Sequence, residues 1–340
     1  MILTKDSRLL IDKFVEDTNI NEFIRNKYLK KVYDFLKDVQ YKNSKIKYKN
    51  IEGKVFPESR FLPNSLQKKI NKKDNILYFS WKTINNKMKS VNCNLYLYID
   101  QNEKIPDTEL LIKIISYIVS FTNKNRKFMI HIAPLNDKKY IKRNQQRFMP
   151  YNINSGSCKY DEKTAEILIW RKEELIKTII HECLHGLNIS HITDDKDISS
   201  KYCKKYKIQL NSLLLDESYV ELWAKILNCY IISELTNSDK QYQHFYTMLA
   251  LEKEFTFYQS NKIHSIIKKY KNKKNILLNL DEFTNITSYY LIINFIFHNL
   301  EELLMICNCN IYLNFNKIIL FKEFLMNIKK KTKVSLSAKS

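Results

Sequence analysis

Residues 175–187 read Leu-Ile-Lys-Thr-Ile-Ile-His-Glu-Cys-Leu-His-Gly-Leu, and no other segment constrains the fold as tightly. Leu175, Ile176, Ile179, Ile180, Cys183, Leu184 and Leu187 recur at helical spacing on more than one face, which predicts a buried helix. Set into its middle are His181, Glu182 and His185. Ionisable groups inside a core need partners. Positions i and i+4 share a helical face, so His181 and His185 can both reach one metal ion at about 2.0–2.1 Å. Glu182 is one residue further round, where a carboxylate can take a proton from solvent at the ion without binding the ion itself. The plainer reading is a core helix with two structural histidines.

A catalytic zinc needs a third protein ligand and an open position. Two candidates stand in the sequence. His191 gives H-E-x-x-H-x-x-x-x-x-H, similar to the metzincin spacing. Asn188 stands where that pattern has glycine, and Asn tolerates the left-handed conformation. The other candidate is Glu217, on the apolar segment around Leu213–Leu227 that also carries Glu221. Glu217 and Glu221 are again i and i+4. One carboxylate would ligate the ion while the other receives an imidazole N–H and fixes the ring. We favour Glu217 as ligand with Glu221 behind it, and keep His191 as the alternative third ligand.

The rest of the chain predicts an α+β fold, with a small mixed sheet packed on the metal-binding helix and an all-helical C-terminal region. Apolar residues at helical spacing mark 7–40, and 41–70 reads as a loop-rich connection with Gly53, Pro57 and Pro63. Ile76–Trp81 and Val91–Ile99 read as a hairpin. Pro106, Asp107 and Thr108 open a helix to about Thr122, and Phe128–Ile132 and Ala165–Trp170 are further strands. Asn154, Ser155 and Gly156 mark a turn, and Ala165–Trp170 reads either as an edge strand for substrate or as a core strand. The metal helix is expected from about Arg171, with Glu173 and Glu174 in its first turn. Residues 190–206 read as a polar loop. The expected organisation is 1–70 helical extension and linker, 71–235 catalytic core, 236–328 helical region and 329–340 basic tail.

Charge and cysteines set the compartment and the partners. The formal net charge is +21, yet only seven of the 57 basic residues are arginine. Arginine leads base and phosphate readout. Lysine excess beside three glycines fits an AT-rich coding sequence, so nucleic acid is not expected as the main partner. The basic loop with Lys138, Lys139, Lys142, Arg143 and Arg147 reads as a solvated loop or as a guide for an acidic peptide substrate. Seven scattered cysteines do not make a disulfide framework, and Cys183 reads as a small core residue. With no signal-like N-terminus and no membrane span in the sequence, an intracellular, non-secreted protein is expected.

Asn154-Ser-Gly156, Ile167–Glu174, His181–His185 and Glu217–Ala224 together resemble the zinc metallopeptidases of large DNA viruses, gluzincin-like members of the zincins. The likeness covers about residues 150–230. It implies a zincin-like domain, a Zn2+ cofactor, hydrolysis of an undefined peptide bond, and a site in the host cytoplasm or the virion. The alternative is a basic structural or virion-associated interaction protein whose zinc only holds the fold. Tyr219, Tyr230, His244 and His264 are the candidate oxyanion donors, and spacing selects none of them.

Overall fold

β-branched and aromatic runs build one mixed sheet in the order β1-β3-β4-β5-β7-β6, with β2 also paired to β3. The strands are β1 (Tyr41–Asn43), β2 (Lys47–Ile51), β3 (Asn75–Asn85), β4 (Ser90–Ile99), β5 (Arg126–Leu135), β6 (Gly156–Tyr160) and β7 (Thr164–Arg171). β3 and β4 form the expected hairpin, while β4, β5 and β7 run parallel. The computed structural model describes residue 12 and residues 20–100, 103–140, 148–209, 213–236, 239–274 and 284–327. The first part of the expected N-terminal helix, the tail 329–340, and Lys142, Arg143 and Arg147 lie outside the described residues.

The chain divides into two units, one spanning 36–189 and the other joining 1–35 to 190–340. In the first unit, alternation gives the sheet two different faces. Phe79, Trp81, Leu95, Phe128, Ile130 and Ile167 are buried on one of them. The helix Thr108–Val119 covers that face near β3, where the Trp81 indole N–H donates to Ser116 Oγ at 2.9 Å. Asp107 caps this helix by accepting from the Leu110 amide at 3.0 Å, as the Pro-Asp-Thr signal predicts. The helix Leu175–Leu187 packs on β7 and β6. A Cβ on Gly186 would come within 2.7 Å of Phe128 Cε1 and 2.9 Å of Ala165 Cβ, so glycine permits this close approach. Buried Arg126 donates to the Gly186 carbonyl at 2.7 Å, a cation at the helix C-terminus.

On the opposite face Phe56, Leu62, Leu66, Ile70, Tyr98, Leu168 and Trp170 form a second core under the helix Asn64–Ile70. His131 sits in its margin, 1% exposed, stacked on Tyr96 at 4.6 Å, with Nδ1 3.0 Å from the Tyr98 hydroxyl. Burial, and then the Lys54 charge, push its pKa from 6.5 down to about 3. Glu166 Oε1 is 3.9 Å from Nε2 and does not offset this. The unfolded chain therefore binds this proton first. Stability from neutral His131 is complete above pH 6.5 and is lost as pH falls toward 3. We expect His131→Phe to lose roughly 2–3 kcal/mol less than the parent between pH 7 and pH 4.5 in urea unfolding. Equal losses in the two proteins would assign the acid sensitivity elsewhere.

Several local expectations are corrected. The 41–70 segment holds β1, β2 and a helix, and 196–206 is a helix capped by Asp195. β7 runs through Arg171, and Glu174 precedes the helix Leu175–Leu187 with φ 56°. Glu173 and Glu174 therefore stand ahead of its first turn, where they accept from Lys139. β7 is an interior strand between β5 and β6. The edge strand is β6, which begins at the Gly156 expected to turn.

The second unit is helical. Tyr33 packs edge-on against Tyr230 at 5.7 Å and Tyr242 at 5.0 Å, and its hydroxyl donates to Glu234 at 3.1 Å. These contacts join the N-terminal segment to the helices Leu215–Glu234 and Gln241–Lys274. A π-helix, Thr287–Ile292, continues into the helix Ile293–His298. Among the described residues no helix is long and apolar enough to cross a membrane.

Candidate metal centre

The helix Leu175–Leu187 presents its two imidazoles as the i, i+4 spacing predicts. Nε2 of His181 and Nε2 of His185 converge to 3.1 Å. Two ligands at about 2.05 Å from a tetrahedral ion would stand about 3.3 Å apart, so the observed separation fits a shared ion. The rings cross at 66° with centroids 4.8 Å apart, so they meet through their nitrogens and do not stack. His181, Glu182 and His185 are all buried, at 6–8% exposed. Asn188 ends the helix in the left-handed region at φ 54°, its amide donating to the His185 carbonyl at 2.8 Å.

Glu182 lies against the backbone of β6. A Cβ built on Gly156 would meet Glu182 Oε1 at 2.9 Å, Glu182 Cγ at 3.0 Å and Thr178 Cγ2 at 2.8 Å. The bare backbone at residue 156 is what leaves room for the carboxylate. Cys183, on the same helix, is fully buried, and burial holds its thiol well above the usual range. It is a core residue and not a nucleophile. None of the seven cysteines is in a disulfide.

On the helix Leu215–Glu234, Glu217 is half-buried and accepts from the Tyr289 hydroxyl at 3.0 Å through Oε2. Glu221 is 5% exposed, with Oε1 3.5 Å from Lys225 Nζ. Lys225 also contacts Glu252. Among the described residues, His181, His185 and Glu217 make a group that could hold a metal ion. His191 is exposed and outside that group. Two imidazoles and a carboxylate are a donor set that suits zinc.

Tyr289 was invisible to sequence reasoning. It belongs to the π-helix, 72 residues beyond Glu217, and only the fold brings the two together. Its hydroxyl fixes one carboxylate oxygen, the kind of support that orients a ligand. We expect Tyr289→Phe to weaken metal binding about 10- to 100-fold in competition with a chromophoric chelator. Unchanged affinity would leave Tyr289 a packing residue. The candidate oxyanion donors have these contacts, with Tyr230 packed edge-on against Tyr33 and Phe245. Tyr219 donates to the Asn310 and Ile311 carbonyls, His244 pairs with Thr236, and His264 packs on Tyr206.

Compared with protein-family models, with curated proteins and with solved structures, the chain matches none.

Proposed function

We propose that the chain is a zinc-dependent metallopeptidase of zincin-like fold, with His181, His185 and Glu217 as ligands and Glu182 as general base. The observation that carries this reading is the 3.1 Å convergence of the two Nε2 atoms, beside a carboxylate that does not join the ligand group. A bound zinc would supply Lewis acidity, making water a better nucleophile and polarising a carbonyl. Glu182 accepts a proton from the attacking water on its carboxylate and returns it to the departing amine. Glu221 would serve as the carboxylate that orients a ligating imidazole, and Lys225, with Nζ 3.5 Å from its Oε1, balances its charge. An extended peptide adds to β6, which among the described residues has β7 as its one strand neighbour and runs beside Glu182. The viral likeness, and a cytoplasmic or virion location, belong to the same proposal and rest on the sequence.

The test is hydrolysis of an unfolded protein such as reduced casein, blocked by 1,10-phenanthroline and restored by added zinc. Activity indifferent to the chelator would remove the metal from the reaction. Gly156→Ala is expected to lower kcat about 10- to 100-fold at full metal occupancy, because the new methyl displaces the Glu182 carboxylate. Unaltered kcat would mean that Glu182 needs no room at Gly156.

The burial of His181, Glu182 and His185 favours a second reading, a closed zinc site that only holds the fold. It differs in one result: the protein binds zinc and unfolds on chelation but hydrolyses nothing.

A further inference from the structure

Among the described residues of its unit, the sheet face opposite the histidine helix is covered at one end. Under the helix Asn64–Ile70 it is apolar; beyond that it opens to solvent. The register puts three rows on the open part. Lys49, Tyr78 and Tyr96 stand side by side on β2, β3 and β4, with buried His131 of β5 next to them at the apolar margin. Lys47, Ser80, Asn94, Met129, Glu166 and Lys159 form the next row. Lys82, Asn92, Lys127 and Thr164 form the third. Lys47, Lys49, Lys82, Lys127 and Lys159 are exposed, and Glu166 is the one carboxylate in these rows.

Aromatic rings lie among the lysines. Tyr78 and Tyr96 are half-buried, with centroids 5.0 Å apart, and Tyr96 stacks on His131 at an interplanar angle of 11°. The Lys49 ammonium stands 5.4 Å from the Tyr78 ring and the Lys54 ammonium 3.3 Å from the Tyr96 ring. A solvated charged face needs no ring at its centre. Rings flanked by cations suit a ligand with flat apolar faces joined by anions.

We propose that this face binds single-stranded nucleic acid, with phosphates on the lysine rows and a base on Tyr78. Strands spaced about 4.8 Å apart make the platform about 24 Å wide, enough for a few nucleotides. Unpaired bases offer the π-faces that such a surface can stack, whereas a duplex hides them. Phosphate attraction needs charge and not arginine, so the lysine-rich composition does not oppose it. The surface is separate from the metal centre and does not depend on it.

The test is fluorescence anisotropy of the full chain with fluorescein-labelled dT12 and rU12 from 50 to 300 mM KCl. Lys47→Glu with Lys49→Glu is expected to weaken binding at least tenfold and to reduce the salt slope by about 1.4. Tyr78→Ala is expected to weaken it about tenfold with the salt slope kept, since stacking releases no counterions. Tyr78→Leu, which keeps the bulk, serves if the alanine variant is unstable by thermal melting, and Tyr78→Phe should retain affinity. Lys204→Glu with Lys207→Glu, an equal charge change on exposed lysines in the other unit, should stay within twofold. The proposal is overturned if the parent does not bind at 50 mM KCl, or if the Lys204/Lys207 variant weakens equally. It is also overturned if loss of the Tyr78 ring has no effect, or if duplex DNA or polyglutamate binds as tightly as the single strands.

Discussion

Glu182→Gln is expected to keep its metal and to lose peptide hydrolysis by about 10²- to 10⁴-fold, the range a positioned general base contributes. The substitution is nearly isosteric. The amide fits the space between Thr178 and the bare backbone of Gly156, where the carboxylate now lies. Metal content should therefore be unchanged, because Glu182 is outside the ligand group. What is lost is an oxygen able to take a proton. The loss should fall on kcat at every pH from 5 to 9, with no acidic limb left to titrate. If the variant hydrolyses at the parent rate, Glu182 is not the base. If it loses metal as well, Glu182 belongs among the ligands and the assignment of Glu217 must be redrawn.

His185→Ala is expected to lower metal affinity by more than about 100-fold, since it removes a proposed ligand and not merely a group supporting one. The parent should gain stability from its metal by mass action, about 2.7 kcal/mol when the free ion is at 100 times its Kd. Chelation should therefore lower the melting temperature of the parent and leave that of His185→Ala nearly unmoved. Comparing each protein with and without chelator cancels the packing lost with the buried imidazole. An equal chelator shift in both proteins would separate the metal from His185.

The histidine pair was legible because its logic is local: four residues along one helix fix the distance between two rings. The core strands were legible for a similar reason, since Ile76–Trp81, Val91–Ile99 and Ala165–Trp170 are β-branched and aromatic. β1 and β2 were not. Their residues are mostly lysine, asparagine and tyrosine and mostly exposed, so they carry no apolar alternation to read. The helix Lys196–Tyr206 buries Ile198 and Tyr202, and two positions one turn apart are too weak a period. Gly156 read as a turn because glycine usually marks one. Its actual role is steric, and that depends on Thr178 and Glu182 packing against it. Pairing order was out of reach as well, since nothing within Ala165–Trp170 says that a shorter polar strand will lie outside it. Tyr289 and Arg126 act through residues 72 and 60 positions away, which no local pattern encodes.

Elemental analysis of the purified full chain decides most directly between a shared ion and two hydrogen-bonded imidazoles. The expected result is one zinc per chain, falling to a small fraction in His181→Ala with His185→Ala. Parent protein free of any divalent ion after preparation without chelators and with zinc supplied, or a double variant as fully loaded as the parent, would contradict it.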